Sequence, residues 1–301
     1  MGGMAGKLAM TLSMGLDFIG MGAFAGSGSA GLFLDSGVAT AANGYSLRKL
    51  RSAYAGYAIK VRRSNDNATQ DIGFVGSDLD TASLATFVGA NSAYIDTWYD
   101  QVASANLTQA TTTKQPRIVN AGVLDTKNSL PSMAFDFGRP DFLSTTASGL
   151  ASQTQFTGSV VASTTAGSRI LSYSEIGGSD YGAAGNVIII YRDSDNVKTI
   201  RNGTDSTGQT TVSGQLFSAF TIYNATQGFT TLDGTAGTPI SFAATALTSS
   251  TPRFTVGNNA GSHGSEGVSG TISEVILWAS ALSVGDRASL VADTRAYWGT
   301  P

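Results

Sequence analysis

The chain has 301 residues, enough for one large all-β domain or two small ones. Charged residues are only 13% of it, about half the usual share, and a net charge of −3 offers no broad electropositive surface for nucleic acid. Cysteine is absent and His263 is the single histidine, which excludes a disulfide framework, a cysteine–zinc site, a thiol nucleophile and a multi-histidine metal centre.

At the start of the chain, Lys7 precedes a mild apolar run, and Ala23-Phe24-Ala25 is similar to a signal-peptide cleavage site. Gly15, Asp17, Gly20 and Gly22 interrupt that run, which argues against a signal peptide and against a membrane span. A Gly-rich, Met-rich segment loses much backbone entropy on ordering, so something must hold it. Residues 1–40 are therefore expected to be an assembly arm lying on other copies of the chain or on other proteins of a particle. Residues 41–301 are expected to be a single domain. Gly26-Ser-Gly-Ser-Ala-Gly31 has the letters of a dinucleotide fingerprint but lacks the following helix that such a site needs.

From Ala41 the chain alternates between charge-rich and strand-like runs. Ser46–Tyr54 has a helical pattern, with Leu47 and Leu50 opposite Arg48, Lys49 and Arg51. Residues 58–62 and 94–99 alternate as strands. Asp80 is a candidate N-cap for a short helix over 78–87. Arg62, Arg63, Asp66, Asp71, Asp96 and Asp100 either form a buried ion-pair network or line a sugar site. Short strands then follow at 132–137, 156–163, 168–172, 186–191, 197–201, 218–224, 228–232, 253–256 and 271–278. Turn signals such as Asp195-Asn196, Asp233-Gly234 and Gly257-Asn258-Asn259 separate them. Spacing of this kind predicts a two-sheet antiparallel sandwich. The end is helical: Ser283 and Asp286 form a capping-box variant, and Leu290, Val291, Thr294 and Trp298 share one face.

Several motifs resemble the catalytic domain of the α-L-arabinofuranosidase B family. They are Tyr45-Ser-Leu-Arg-Lys-Leu-Arg51, Val61-Arg-Arg-Ser-Asn-Asp-Asn67, Asp71-Ile-Gly-Phe74, Thr97-Trp-Tyr-Asp-Gln101 and Leu107-Thr-Gln-Ala110. The second half, with Leu130-Pro-Ser-Met-Ala-Phe-Asp136 and Gly270-Thr-Ile-Ser-Glu-Val-Ile-Leu277, resembles concanavalin A-like (laminin G-like) modules. Such modules occur in bacteriophage structural proteins, where a start similar to Met10–Leu16 recurs. The resemblance implies an all-β fold, a concanavalin A-like antiparallel β-sandwich or jelly roll with a few short helices and an extended N-terminal arm.

The family resemblance also implies retaining glycoside hydrolysis by two carboxyl groups about 5 Å apart. The family nucleophile is a Glu in an Asp-x-Glu-Asn turn, which corresponds to Asp193-Ser-Asp-Asn196 and makes Asp195 the nucleophile candidate. The family acid/base is an Asp in a Gly-Gly-Asp-Asn turn, which corresponds to Val256-Gly-Asn-Asn259 and puts Asn258 in its place. An amide cannot donate and recover a proton at neutral pH. The sequence is therefore expected to belong to a non-catalytic structural protein of a bacteriophage virion, a tail, fibre or capsid-decoration component that touches host-surface glycan. Asp193, Asp195, Asn196, Asn258 and Asn259 are the ligand-binding candidates. Calcium at Asp193 and Asp195 is the one cofactor considered, against plain turn chemistry. The alternatives are an active glycosidase of arabinofuranosidase type and a secreted bacterial glycan-binding module. His263 either pairs with Glu266 as acid and base or stands exposed in its Gly/Ser loop. Trp98, Tyr99 and Trp278 either stack on sugars or pack in the core.

Overall fold

Val187-Ile-Ile-Ile-Tyr-Arg-Asp193 and Thr271-Ile-Ser-Glu-Val-Ile-Leu-Trp278 carry the β-branched and aromatic residues that suit a pleated, half-buried surface, and both lie in strands. The computed structural model describes residues 32–301 except 168, 182–184, 202, 225, 242–245, 248, 249 and 265. The described chain is all-β with two α-helices and two 3-10 turns. In chain order the main strands are β1 (Asn43–Ser46), β2 (Ile59–Arg63), β3 (Thr69–Ile72), β4 (Ala93–Trp98), β5 (Leu107–Thr108), β6 (Arg117–Asn120), β7 (Met133–Phe135) and β8 (Leu143–Thr145). They continue as β9 (Gln155–Gly167), β10 (Arg169–Glu175), β11 (Val187–Asp193), β12 (Asn196–Arg201), β13 (Phe217–Asn224), β14 (Gln227–Leu232), β15 (Pro252–Val256) and β16 (Val268–Trp278). Helix α1 (Thr81–Val88) precedes β4, and α2 (Val284–Trp298) closes the chain.

These strands pair antiparallel along one continuous path. It runs β14–β13–β9–β16–β7–β6–β4–β5–β8–β15–β10–β11–β12, with β1 on β16 and β2–β3 on β4. The path doubles back, so that β9 and β13 lie over β11 and β12 without sharing ladder bonds. Side chains bridge the two layers: Thr221 Oγ1 donates to Ile189 O (2.6 Å), and Thr199 Oγ1 meets the Tyr223 hydroxyl at 2.6 Å. Gly158 lies at this contact, where a Cβ would fall 2.7 Å from Ile189 Cγ2.

One apolar cluster fills the space between the layers, with Val160, Leu171, Ile189, Phe254, Val256 and Leu277 among its members. A second, formed by Phe220, Ile222, Ile276, Trp278, Leu290 and Val291, seats α2 on the far side of β13 and β16. The capping devices read from the sequence are present: Asp80 accepts from Ser83 N and Ser283 from Asp286 N. Trp98 and Trp278 are fully buried, which settles them as core residues. Phe33–Asp35 and the chain up to Ala41 lie against the same body, through Leu34 N to Leu50 O (3.0 Å) and Trp278 Nε1 to Ala39 O (3.0 Å). Residues 1–31 of the expected arm lie outside the described residues. Among the described residues no helix is long and apolar enough to cross a membrane.

Two expectations change. Ser46–Tyr54 is not a helix, because other groups take the backbone atoms that a helix would pair internally. The Gln101 side chain donates to Ser46 O (3.2 Å) and Arg48 O (2.8 Å) and accepts from Leu50 N (2.7 Å). The charges between Arg62 and Asp100 do not form one network either. Arg63 pairs with Asp66, Asp71 accepts from the Tyr99 hydroxyl, and Asp100 accepts from Asn43 Nδ2 and from the backbone N–H of Gly44, Val102, Ala103 and Ala105.

The strongest buried charge cluster lies elsewhere. Arg48 donates from Nε and Nη2 to both Glu274 oxygens (2.7 and 3.0 Å) and also pairs with Asp293 on α2. Replacing Arg48 with Met leaves the buried Glu274 and the half-buried Asp293 without their cation. Arg48→Met is expected to lower unfolding free energy by about 3–5 kcal/mol, read from the urea midpoint. An unchanged midpoint refutes the assigned role.

Candidate active site

The start of β10, the end of β11 and the loop after β15 share one edge of the sheet. Arg169 stands opposite Tyr191, Leu171 opposite Val256, and Gly257 N donates to Ile170 O. The two turns singled out in the sequence therefore flank the same strand.

In the β11–β12 hairpin Asp193 pairs with Asn196, so the turn residues are Ser194 and Asp195, with Ser194 at φ 52°. The two aspartates bind different cations. Asp193 accepts from Lys198 Nζ (2.9 Å), which also reaches Asp205 (2.7 Å) and lies over the Tyr191 ring. Asp195 accepts from Arg192 Nη2 (3.0 Å), and Arg192 is itself buried against Thr164 on β9. The Asp195 carbonyl accepts from Thr211 N (2.7 Å), and Asn196 Oδ1 from Thr210 Oγ1 (3.3 Å). Each carboxylate is thus neutralised by a basic side chain. Among the described residues no group of three or more His, Asp or Glu could hold a metal ion.

The loop after β15 turns at Gly257, φ 89°, where a Cβ would fall 2.5 Å from the Phe135 ring. Asn258 is wholly buried. Its Oδ1 accepts from Asn259 N (2.7 Å), and its Nδ2 has no partner among the described residues. Asn258 is therefore part of the loop's internal packing. The side chain that faces the edge is Asn259. Its Nδ2 donates to Asp180 Oδ1 (3.0 Å) and Glu266 Oε2 (2.5 Å), while its Oδ1 accepts from Gly261 N (2.6 Å) and Ser262 N (3.2 Å).

Asn259 thus joins two carboxylates, whose nearest oxygens are no more than about 5.5 Å apart. Arg169 binds the same pair, Asp180 through Nη2 at 3.2 Å and Glu266 through Nη1 at 3.2 Å. Ser172 Oγ adds a bond to Asp180 (2.7 Å). Asp180 is only 1% exposed, whereas the Glu266 side chain is 41% exposed. Sequence reading singled out neither Asp180 nor Arg169. Asp180 lies in a Gly-Gly-Ser-Asp run with no periodic pattern, and only the fold brings it within reach of residue 259.

His263 is neither exposed nor placed as a proton carrier. Its ring stacks on Phe142 (3.6 Å between centroids), and its Nε2 meets Thr255 Oγ1 at 3.2 Å. Burial pushes its pKa down to about 3, and the nearby Arg253 and Lys114 charges add to that shift. Asp141, one residue before Phe142, moves the other way. Burial raises it to about 6 against the pull of Arg139.

Comparison with known proteins bears on the fold that carries these residues. The family model for the catalytic domain of α-L-arabinofuranosidase B matches residues 32–136. A GH54 α-L-arabinofuranosidase soaked with a cyclic sulfate inhibitor is similar with TM-score 0.62 and 16% identity, over 86% of this chain and 64% of that one. An arabinofuranosidase complexed with arabinofuranosyl-α-1,2-xylobiose gives TM-score 0.61 and 17% identity over the same shares. A variant soaked with 4-nitrophenyl α-L-arabinofuranoside gives 0.64 and 16%, again over 86% and 64%. The chain thus spans less than two thirds of the solved arabinofuranosidases that it matches. No curated protein matches it. The resemblance to the arabinofuranosidase B catalytic fold holds across most of the chain.

These matches correct three expectations: the virion component, its virion location and the non-catalytic descendant. The matched proteins are arabinofuranosidases, and the inactivity argument rested on Asn258, a buried side chain beside which Asn259 gathers two carboxylates.

The His263 shift has a readable consequence. The folded chain keeps the ring neutral while the unfolded chain protonates it below about pH 6.5. Its contribution to stability is full above that pH and is lost as pH falls toward about 3. Asp141 works in the opposite sense, gaining stability as pH falls below about 6. The His263 part is isolated by comparison with His263→Gln. Between pH 7 and 4 the wild type is expected to lose more unfolding free energy than the variant. Parallel curves for the two proteins would contradict a buried neutral imidazole.

Proposed function

We infer that the chain is a glycoside hydrolase of the α-L-arabinofuranosidase type, built on a concanavalin A-like antiparallel sandwich. The observation that carries this reading is the Asp180–Asn259–Glu266 constellation, in which Asn259 of the turn where the family resemblance puts the acid/base binds two carboxylates from outside that turn. A pair whose nearest oxygens are no more than about 5.5 Å apart is too close for the water of an inverting enzyme and goes with a retaining mechanism, in which one carboxylate attacks the anomeric carbon and the other protonates the leaving oxygen. Glu266 is the exposed member and takes the acid/base role. Asp180, held by Arg169 and Ser172, takes the nucleophile role. The anomeric carbon then occupies the place where Asn259 Nδ2 now sits, and Asn259 must turn aside for substrate. Both proton and nucleophile come from carboxyl groups, so the reaction draws on no cofactor.

Asp195 is the rival nucleophile, because the motif assigns it that role. It is 65% exposed and is held by Arg192. The substrate class suggested by the matched structures is an α-L-arabinofuranosyl unit on a glycan chain. That reading goes with a secreted or cell-surface setting, where such polymers are met.

The test is turnover of 4-nitrophenyl α-L-arabinofuranoside by wild type, Glu266→Gln, Asp180→Asn and Asp195→Asn, each checked for an intact fold by circular dichroism. Glu266→Gln and Asp180→Asn are expected to lose about 10²–10⁴-fold in kcat, with Asp195→Asn within about threefold of wild type. Loss confined to Asp195→Asn transfers the nucleophile to the β11–β12 turn. A folded wild type with no turnover of arabinofuranosides sinks the enzymatic reading.

A further inference from the structure

A cavity opens where β2 and β4 meet the 112–114 turn. It has a volume of about 630 Å³ and is lined by Arg62, Tyr94, Thr112, Thr113, Lys114 and Arg139, with Pro140 at its margin. Three of these residues are cations and none is an acid. Arg62 is buried, yet its hydrogen bonds go to neutral oxygens: Gln115 Oε1 (2.7 Å), Asn67 Oδ1 (2.9 Å) and Thr112 O (3.1 Å). Asp96 acts on it as a charge without a hydrogen bond. Lys114 Nζ lies over the Phe142 ring and has no hydrogen-bond partner among the described residues. Arg139 is paired with Asp141 (2.7 Å). The Tyr94 ring has the Arg62 guanidinium at 5.1 Å and that of Arg139 at 5.3 Å.

A buried guanidinium with only neutral acceptors gains from an anion, since charge-assisted hydrogen bonds are about twice as strong as neutral ones. Burial without a bonded carboxylate lowers the Arg62 pKa, which is the mark of a cation short of compensation. The volume is that of a small-molecule site and exceeds what a single inorganic ion fills. Tyr94 supplies an aromatic surface, and Thr112 and Thr113 supply hydroxyls. Lys114 reaches from the cavity toward the loop after β15, because Phe142 beneath it stacks on His263 in that loop.

We propose that this cavity is a subsite for a carboxylate-bearing sugar, a uronic acid unit on the glycan, with Lys114 and Arg62 facing the carboxylate and Tyr94 and the threonines facing the ring. The proposal deepens the glycoside hydrolase reading by naming its substrate as an acidic glycan, but it concerns binding and is tested without turnover.

The experiment is isothermal titration calorimetry on the full chain. The probes are a xylo-oligosaccharide carrying one glucuronic acid branch, the neutral oligosaccharide of equal length, and sodium sulfate. The acidic oligosaccharide is expected to bind at least about tenfold more tightly than the neutral one, with the difference weakened at about 0.5 M sodium chloride. Lys114→Gln breaks no hydrogen bond of the fold and is expected to remove most of that difference while leaving the melting temperature in place. Equal binding of the acidic and neutral sugars, no binding of the acidic sugar, or a difference that survives Lys114→Gln overturns the proposal. Sulfate binding as tight as the acidic sugar overturns the sugar and leaves a simple anion site. Should arabinofuranoside turnover fail while the acid-dependent binding holds, the hydrolase reading falls and the subsite stands.

Discussion

The fold depends on one buried cation. Arg48 leaves the end of β1, crosses to Glu274 in the middle of β16 and continues to Asp293 on α2. Burial alone would lower its pKa, but Glu274 and Asp293 hold it raised, so it stays charged in the interior. Ser46 and the Trp298 indole donate to the same Glu274 carboxylate, at 2.9 and 3.3 Å. The start of the domain and its closing strand and helix, far apart in sequence, thereby meet at one point. Burying such charges is costly, and their removal one at a time is costlier still. The cluster therefore fixes where α2 sits more than it adds to total stability. β16 in turn pairs with β1, β7 and β9, so it transmits that placement to both layers.

The same economy of charge explains the segment from Thr97 to Gln101. Asp100 collects five N–H donors from two chain segments, and Gln101 satisfies three backbone groups of the 46–50 run. A motif that could be taken for a sugar-binding run is backbone organisation. Its polar residues are turned inward, where unpaired peptide groups would be expensive. That use of Gln101 also cancels the helical pattern at Ser46–Tyr54, since tertiary hydrogen bonds outbid a nine-residue propensity.

Strands, caps and the closing helix were legible because their signals are local. Period-two alternation, Asp80 before a helical run and Ser283 three residues before Asp286 each act within a few positions. The candidate site was only half legible. The β11–β12 and Gly257–Asn259 turns were visible as turn chemistry, and the fold does bring both to the β10 edge. Which side chain of a turn faces the site is a matter of one residue. Asn258 and Asn259 are both buried, but Asn258 bonds within its own loop while Asn259 reaches Asp180 and Glu266. Asp180 has no local signal at all, because its partners come from two separate places, Arg169 and Ser172 on β10 and Asn259 in the loop after β15.

A chain with 13% charged residues and a net charge of −3 could have scattered its cations. Several of them gather near the β8, β10 and β15 strands instead. Arg169 joins the two carboxylates, Arg139 holds Asp141, Lys114 covers Phe142, and Arg253 donates to the carbonyls of Ala260 and Gly261 in the loop that carries Asn259. The depressed His263 registers the same field, since Arg253 and Lys114 both act on it. Positive charge here has two tasks. Where it meets Asp180 and Glu266, the Arg169 guanidinium bridges the two carboxyl groups through Nη2 and Nη1. Around Arg62 and Lys114 it meets neutral oxygens and a ring. The difference between the two places is the presence or absence of a bonded carboxylate, and the proposed reacting and recognising roles rest on that difference.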